Sequence, residues 1–196
     1  MRWNGCAGWL WVVAWGAVVG AGMMILGAHA ARPGRPGTAP GRWPATSRLR
    51  PVPGRWNLVL LAHPRCPCTR ASLAELARIM ARSRGRLAAT VVLYHPEGTP
   101  ESWAQTDLAA QAAAIPNTRV VADAGGAEAE RFGAATSGQV VLFDPEGRRH
   151  FEGGITSTRG HEGDSLGRAA ILDLIQRGVA ERPAAPVFGC SIRGDG

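Results

Sequence analysis

The sequence has 196 residues and an apolar fraction of 45%, which is enough for one domain with a hydrophobic core and excludes a second full domain. The net charge of +7 is uneven, because residues 1–90 carry 13 arginines and one acid, Glu75, whereas residues 91–196 carry 9 arginines and 14 acids. No recognition helix, zinc-finger spacing or stacking platform accompanies this charge, so nucleic-acid binding is not predicted.

Residues 1–30 are predicted to be a transmembrane anchor or a signal peptide. Positions 6–28 carry no charge and form an apolar run long enough to cross a bilayer as one helix. Early tryptophans favour a retained anchor, whereas Ala28-His29-Ala30 resembles a signal cleavage site. The arginines after the run favour a cytoplasmic domain by the positive-inside rule, so topology stays open on these residues alone.

The rest of the chain divides into a linker, a domain and a tail. Residues 31–55 are rich in Pro, Gly and Arg without apolar periodicity, which predicts an extended tether, and residues 181–196 form a tail with Cys190. Within the domain, residues 56–180, periodicity predicts strands at 56–63, 87–94, 119–122, 139–143 and 150–152 and helices at 69–84, 100–114, 128–133 and 166–179. This order predicts an α/β fold with a mainly parallel sheet covered on both faces.

Cys66 and Cys68 lie where the first predicted strand gives way to the first domain helix, in His63-Pro64-Arg65-Cys66-Pro67-Cys68-Thr69-Arg70. The positive end of a helix dipole and the two neighbouring arginines favour the thiolate form. A thiolate attacks disulfides and binds soft metals, so this pair is the predicted reactive centre.

With this cysteine pair, the segments 123–133 and 140–147 make residues 56–180 resemble the thioredoxin-like superfamily, in particular membrane-anchored proteins related to thioredoxins and peroxiredoxins. The resemblance implies a thioredoxin-like fold, βαβαβ followed by a short helix, a β-hairpin and a C-terminal helix. It also implies that Cys66 and Cys68 cycle between dithiol and disulfide without a cofactor, acting on protein thiols or disulfides. It places the domain on the extracytoplasmic side of a cell membrane, or outside the cell after signal cleavage.

Two features depart from that superfamily. One residue separates the cysteines instead of two, so a disulfide between them would close a smaller, strained and easily reduced ring. The spacing also leaves open which cysteine is the nucleophile. Thr136-Ser137-Gly138 stands where such proteins have a cis-proline. These three residues are predicted to bind substrate.

The loop 153–164 and the tail supply the remaining candidates. Gly154, Arg159 and His161 are predicted to border the substrate groove. In the structural alternative, Asp164 caps the last helix, Arg159 pairs with Glu162 and His161 is merely exposed. Cys190 is a possible resolving thiol, a metal ligand or a buried unpaired cysteine. The alternative function is a metal-binding or metal-delivery module, holding copper(I) or zinc on Cys66, Cys68, His161 and Cys190.

Overall fold

The computed structural model describes residues 5–193, beginning with helix α1, Gly5–Ala31. Its stretch Gly8–Ala31 is apolar and long enough to cross a membrane, and none of the stretch is buried inside the protein. A signal sequence near the N-terminus has the same properties. The apolar helix predicted from the sequence is therefore present, and both of its interpretations remain.

Six strands form one sheet in the order β3-β2-β1-β4-β5-β6. The first three strands pair in parallel, whereas β4 runs antiparallel to β1 and β5. The strands are β1 Trp56–Ala62, β2 Leu87–His95, β3 Thr118–Ala124, β4 Gln139–Phe143, β5 Arg149–Gly153 and β6 Ala184–Ala185, and the helices are α2 Pro67–Arg82, α3 Asp107–Ala113, α4 Ala127–Arg131 and α5 Leu166–Arg177. This topology confirms the predicted thioredoxin-like fold.

Strand β1 lies at the centre of the sheet and is buried on both faces. Leu58 and Leu60 pack into the core cluster that includes side chains of α2 and α5, whereas Val59 and Leu61 pack into a second cluster that includes Phe132. A strand covered on both faces has no polar side to show, which is why β1 is a continuous apolar run.

The register of β1 against β4 brings two distant segments together at one edge of the sheet. Leu61 pairs with Gln139 across the antiparallel ladder, and the backbone N–H of Gly138 donates to the carbonyl of Leu61 at 2.8 Å. The turn that follows β1 therefore lies beside the residues that precede β4. Cys66 belongs to the first of these segments and Ser137 to the second.

Two elements differ from the sequence prediction. The helix expected over 100–114 is a short 3₁₀ helix, Glu101–Ala104, followed by α3, because the Thr106 hydroxyl accepts from the N–H of Ala109 and starts a new helix there. Strand β6 was not predicted, since a two-residue strand carries no periodicity.

The segment expected to be an extended tether leaves α1 after Ala31 and packs on the domain. Trp43 makes edge contacts with Phe132 and Phe143 at centroid distances of 5.2 and 5.1 Å, and the carboxylate of Glu128 accepts from the N–H of Arg48 at 3.0 Å. Leu49 is buried beside them. The physical reason is that α4 is too short to cover this face of the sheet, so the incoming chain covers the rest.

Candidate functional site

Cys66 occupies the N-cap of α2, at the end of the turn that leaves β1. Its backbone is extended (φ −81°, ψ 120°), and Pro67 follows in the first helical turn, where a missing N–H costs no hydrogen bond. The Cys66 N–H donates to the carbonyl of His63 at 3.1 Å, which closes the turn. The Cys66 thiol thus lies at the positive end of the helix dipole, as the sequence predicted.

Residues 186–193 of the C-terminal tail fold back over this junction. The N–H of Ser137 donates to the carbonyl of Cys190 at 2.8 Å, and the N–H of Ile192 donates to the carbonyl of Ala135 at 3.1 Å. The Sγ atoms of Cys66 and Cys190 are 3.1 Å apart. Cys66, Cys68 and Cys190 therefore form a thiol cluster in which Cys66 is 2% exposed, Cys68 is half-buried and Cys190 is exposed.

The surroundings of Cys66 favour its thiolate. Burial alone would raise the pKa of Cys66, but the thiol and backbone N–H of Cys190, the backbone N–H of Cys68 and the hydroxyl of Ser137 donate towards its sulfur and outweigh burial. The pKa of Cys66 is therefore lower than that of an ordinary thiol. Among the three thiols of the cluster, Cys66 is the one whose surroundings favour the thiolate most.

The two other thiols are shifted in the opposite direction. Burial, and then the charge and hydrogen bonding of Cys66, raise the pKa of Cys68 and raise the pKa of Cys190 to about 12. The guanidinium of Arg159 partly opposes both shifts, and the N–H of Gly160 also favours the Cys68 thiolate. One thiolate at a time, on Cys66, is the arrangement that this charge distribution supports.

Thr136, Ser137 and Gly138, which stand where related proteins have a cis-proline, differ in their contacts. The described part of the chain contains no cis peptide bond. Ser137 borders the cluster, and its Oγ accepts from the N–H of His63 at 2.9 Å and lies 3.0 Å from Thr69 Oγ1. Thr136 instead donates its hydroxyl to the carbonyl of Arg35 at 2.8 Å, and Gly138 holds β1 through its N–H.

The loop 153–164 approaches the cluster through Arg159 and Gly160. The Arg159 side chain donates to the carbonyl of Gly189 in the tail, and its backbone N–H donates to the carbonyl of Ala30 at the end of α1, at 3.0 Å. Gly154 lies under the tail, where an added Cβ would be 2.6 Å from the Pro186 carbonyl oxygen.

The structural alternative for this loop is wrong about Asp164 and Arg159, whereas His161 is exposed as that alternative has it. Ser165, not Asp164, caps α5 by accepting from the N–H of Arg168, because its side chain is the one beside the free helical N–H groups. Glu162 pairs with Arg78 at 3.1 Å instead of with Arg159. His161 is exposed to solvent.

One further residue near the site, Glu75, was not assigned a role from the sequence. Glu75 is fully buried in α2, where its carboxylate accepts from the side chains of Arg78 and Arg168 and from the N–H of Gly163 at 2.8 Å. This carboxylate ties the loop 153–164 to the helix that carries the cysteines. The signal was an acid on the apolar face of a predicted helix, between Leu73 and Leu76.

His63, for which the sequence favours a structural role over metal ligation, is 4% exposed. Its ring stacks on Tyr94 at 5.7 Å and meets the edge of Trp103 at 5.6 Å, and its Nδ1 accepts from the N–H of Arg65 at 3.2 Å. Burial, and then the charge of Arg65, lower the pKa of His63. The neutral ring therefore serves as a buried support for the turn before Cys66.

Within residues 5–193, apart from the side chains that the structure does not describe, no group of three or more His, Cys, Asp or Glu residues is arranged to hold a metal ion. The predicted ligand set of Cys66, Cys68, His161 and Cys190 is not assembled as such a group. The structure instead places the Cys66 and Cys190 sulfurs 3.1 Å apart with Cys68 beside Cys66, while His161 is exposed to solvent.

No protein-family model and no curated protein matches the chain. Among solved structures, an uncharacterized conserved protein from Geobacillus kaustophilus is 19% identical with a TM-score of 0.61, covering 84% of this chain and 93% of its own. A hypothetical protein from Sinorhizobium meliloti 1021 is 24% identical with a TM-score of 0.58, covering 71% and 80%. A secreted Mycobacterium tuberculosis disulfide oxidoreductase is 12% identical with a TM-score of 0.44, covering 63% and 81%.

The first two likenesses show a shared fold, and the third is too partial a superposition to add to it. The chain is a protein of the thioredoxin-like fold with three clustered thiols at the junction of β1 and α2. Its activity has to be argued from that cluster.

Proposed function

We propose that this protein is an extracytoplasmic thiol-disulfide oxidoreductase in which Cys66 is the attacking thiol. The observation that carries the proposal is the position of the Cys66 sulfur, at the N-terminus of α2 with a lowered pKa and 3.1 Å from a second thiol. A stabilised thiolate beside another thiol is the arrangement that disulfide exchange requires.

In the proposed reaction, the Cys66 thiolate attacks one sulfur of a protein disulfide and releases the other as a thiolate. A second thiol of the cluster then attacks Cys66 Sγ, which frees the substrate and leaves a disulfide in this protein. The sequence predicts Cys68 as that second thiol, with Cys190 as a possible resolving thiol. Exchange in the reverse direction oxidises a substrate dithiol.

The proposed substrate groove runs between the residues 136–138 and the loop that holds Gly154, Arg159 and His161. Ser137 and Arg159 support this assignment because both border the cluster. The tail occupies the same groove, since it pairs with Ala135 and Ser137 and receives the Arg159 side chain. A protein substrate would therefore bind where the tail now lies, or react while the tail is in place.

The extracytoplasmic location is part of the proposal. Helix α1 supports membrane insertion or export, because it is apolar over Gly8–Ala31 and unburied. A protein that makes and breaks disulfides works in compartments where disulfides persist, outside the reducing cytosol.

The experiment uses the full chain in detergent micelles with Cys6 replaced by Ser, so that only the cluster contributes thiols. The protein is equilibrated in glutathione redox buffers of graded ratio with a chelator, and its thiols are counted by mass spectrometry. The expected result is a reversible loss of two hydrogens that involves Cys66 and is abolished by Cys66→Ser. A chain that keeps all thiols reduced over the whole range, or that purifies with stoichiometric copper or zinc removable by chelators, would contradict the proposal and favour the metal module.

A further inference from the structure

The geometry points to Cys190 as the redox partner of Cys66, so that the disulfide of this protein joins α2 to the C-terminal tail instead of closing within Cys66-Pro67-Cys68. The inference rests on the proposed function and assigns the second thiol that the proposal leaves open. It departs from the pairing that the sequence predicts.

The placement of the three thiols favours a bond between Cys66 and Cys190. The Sγ atoms of Cys66 and Cys190 are 3.1 Å apart, and a disulfide bond of about 2.05 Å needs a movement of only about 1 Å. Cys68 also lies near the Cys66 thiol, but it is the second residue of α2, so its backbone is fixed in the first helical turn. Pro67 also fixes φ between the two cysteines, so a Cys66–Cys68 bond would have to distort the first helical turn.

The tail is held in register before any bond forms. Val187, Phe188 and Ile192 are buried, which anchors the tail on both sides of Cys190. Gly189 lies so close to the domain that an added Cβ would be 2.0 Å from the carbonyl oxygen of Ser137. Because only glycine fits this approach, the tail is built to lie against the residues that precede β4.

The chemistry of each step also fits attack by Cys66 and resolution by Cys190. The Cys66 thiolate attacks an external disulfide, forms a mixed disulfide and releases the first substrate sulfur as a thiolate. Cys66 then carries no negative charge, so one cause of the raised pKa of Cys190 disappears. Cys190 loses its proton and attacks Cys66 Sγ, and the second substrate sulfur leaves and takes up that proton. Two electrons have passed from Cys66 and Cys190 to the external disulfide.

The reverse direction runs through the same mixed disulfide. A substrate thiolate attacks Cys66 Sγ, and Cys190 leaves as a thiolate and takes up a proton. The second substrate thiolate then attacks the substrate sulfur bound to Cys66, and Cys66 leaves as a thiolate. The lowered pKa of Cys66 favours that last step, because a thiol of low pKa leaves faster than one of high pKa.

Trypsin separates the two possible disulfides. Cleavage after Arg65 and Arg70 gives a peptide, 66–70, that contains both Cys66 and Cys68. Cleavage after Arg177 and Arg193 gives the peptide 178–193 with Cys190, because Pro183 protects the bond after Arg182. The full chain with Cys6→Ser, oxidised with glutathione disulfide in micelles and alkylated in acid, is expected to yield 66–70 joined to 178–193.

Variants test the assignment further. Cys68→Ser is expected to keep the cross-linked peptide, because its backbone N–H still faces Cys66. Cys190→Ser is expected to lose it and to accumulate the glutathione adduct of Cys66 by about tenfold or more, since an intramolecular competitor at high effective concentration is removed. Gly189→Ala is expected to reduce the cross-link, whereas Gly41→Ala, where an added Cβ meets nothing within 4 Å, is the matched control.

A disulfide found within 66–70 and unchanged in Cys190→Ser would overturn this inference while leaving the proposed function intact. Failure of Cys66 to form any disulfide would overturn both. An equal cross-link in Gly189→Ala and in wild type would show that the observed pairing of the tail is not what delivers Cys190.

Discussion

Replacement of Glu75 by Gln tests how the loop beside the cysteines is held. The Glu75 side chain is 0% exposed, and both of its oxygens accept hydrogen bonds, from Arg78, from Arg168 and from the N–H of Gly163. An amide keeps the shape but turns one acceptor into a donor that faces an arginine, and it leaves the Arg168 side chain, which is 9% exposed, without its buried counter-charge.

Removing one partner of a buried ion pair costs about 3–5 kcal/mol. We expect the lower end, about 3 kcal/mol, because Arg168 keeps its bond to Asp164 and Arg78 reaches solvent. The matched control is Asp173→Asn, which breaks the exposed pair with Arg177 and should cost less than about 1 kcal/mol.

The assay is equilibrium urea unfolding of the full chain in micelles, followed by circular dichroism, with hydrogen exchange at Gly163 as the local readout. We expect Glu75→Gln to lower the free energy of unfolding and to speed exchange of that amide. If Glu75→Gln costs no more than Asp173→Asn, the carboxylate does not hold the loop and the reasoning fails.

Two further predictions concern the pKa values of single groups, the Cys66 thiol and the Asp144 carboxyl group. Ser137→Ala should raise the pKa of Cys66, because it removes one hydrogen-bond donor to that thiolate. A hydrogen bond worth about 1 kcal/mol predicts that Cys66 is alkylated about fivefold more slowly at neutral pH, as measured by mass spectrometry. An unchanged alkylation rate would show that Ser137 does not stabilise the thiolate. Burial would raise the pKa of Asp144, but the N–H of Arg148, the ring of His150 and the Arg148 guanidinium lower it to about 2. The stability that Asp144 contributes should therefore be present above its unfolded pKa of about 3.9 and be lost as the pH falls towards 2. Asp144→Asn should make the free energy of unfolding depend less on pH in that range. The same pH dependence in the variant and in wild type would refute the assignment.

The sequence predicted the order of the strands and long helices because their signals are local. Apolar runs such as 56–63 and the helical spacing around Leu73 and Leu76 repeat over several residues, so neighbouring positions support one another. The junction that carries Cys66 and Cys68 follows from the same signals, since it is the point where one period replaces the other. The cysteine position could therefore be predicted before any contact was known.

The contacts that complete the site have no local signal. Cys190 is 124 residues from Cys66 in the chain, and its segment pairs through backbone groups that every residue has. Arg159 likewise bonds a carbonyl of the tail, so residue identity could not indicate its partner. Trp43 and Leu49 cover the sheet without a repeating pattern, which is why their segment was predicted as a free tether.

The hydrogen bond between Arg159 and the last turn of α1 has a consequence for how partners reach the thiols. Arg159 borders Cys68 and the tail, and its N–H donates to the carbonyl of Ala30 at 3.0 Å, which ties the loop beside the cluster to the end of α1. With α1 across a bilayer, the cluster would stay close to the membrane surface. Cysteines in loops next to other membrane helices would then meet it by diffusion in two dimensions, whereas release of α1 by cleavage would change the search to three.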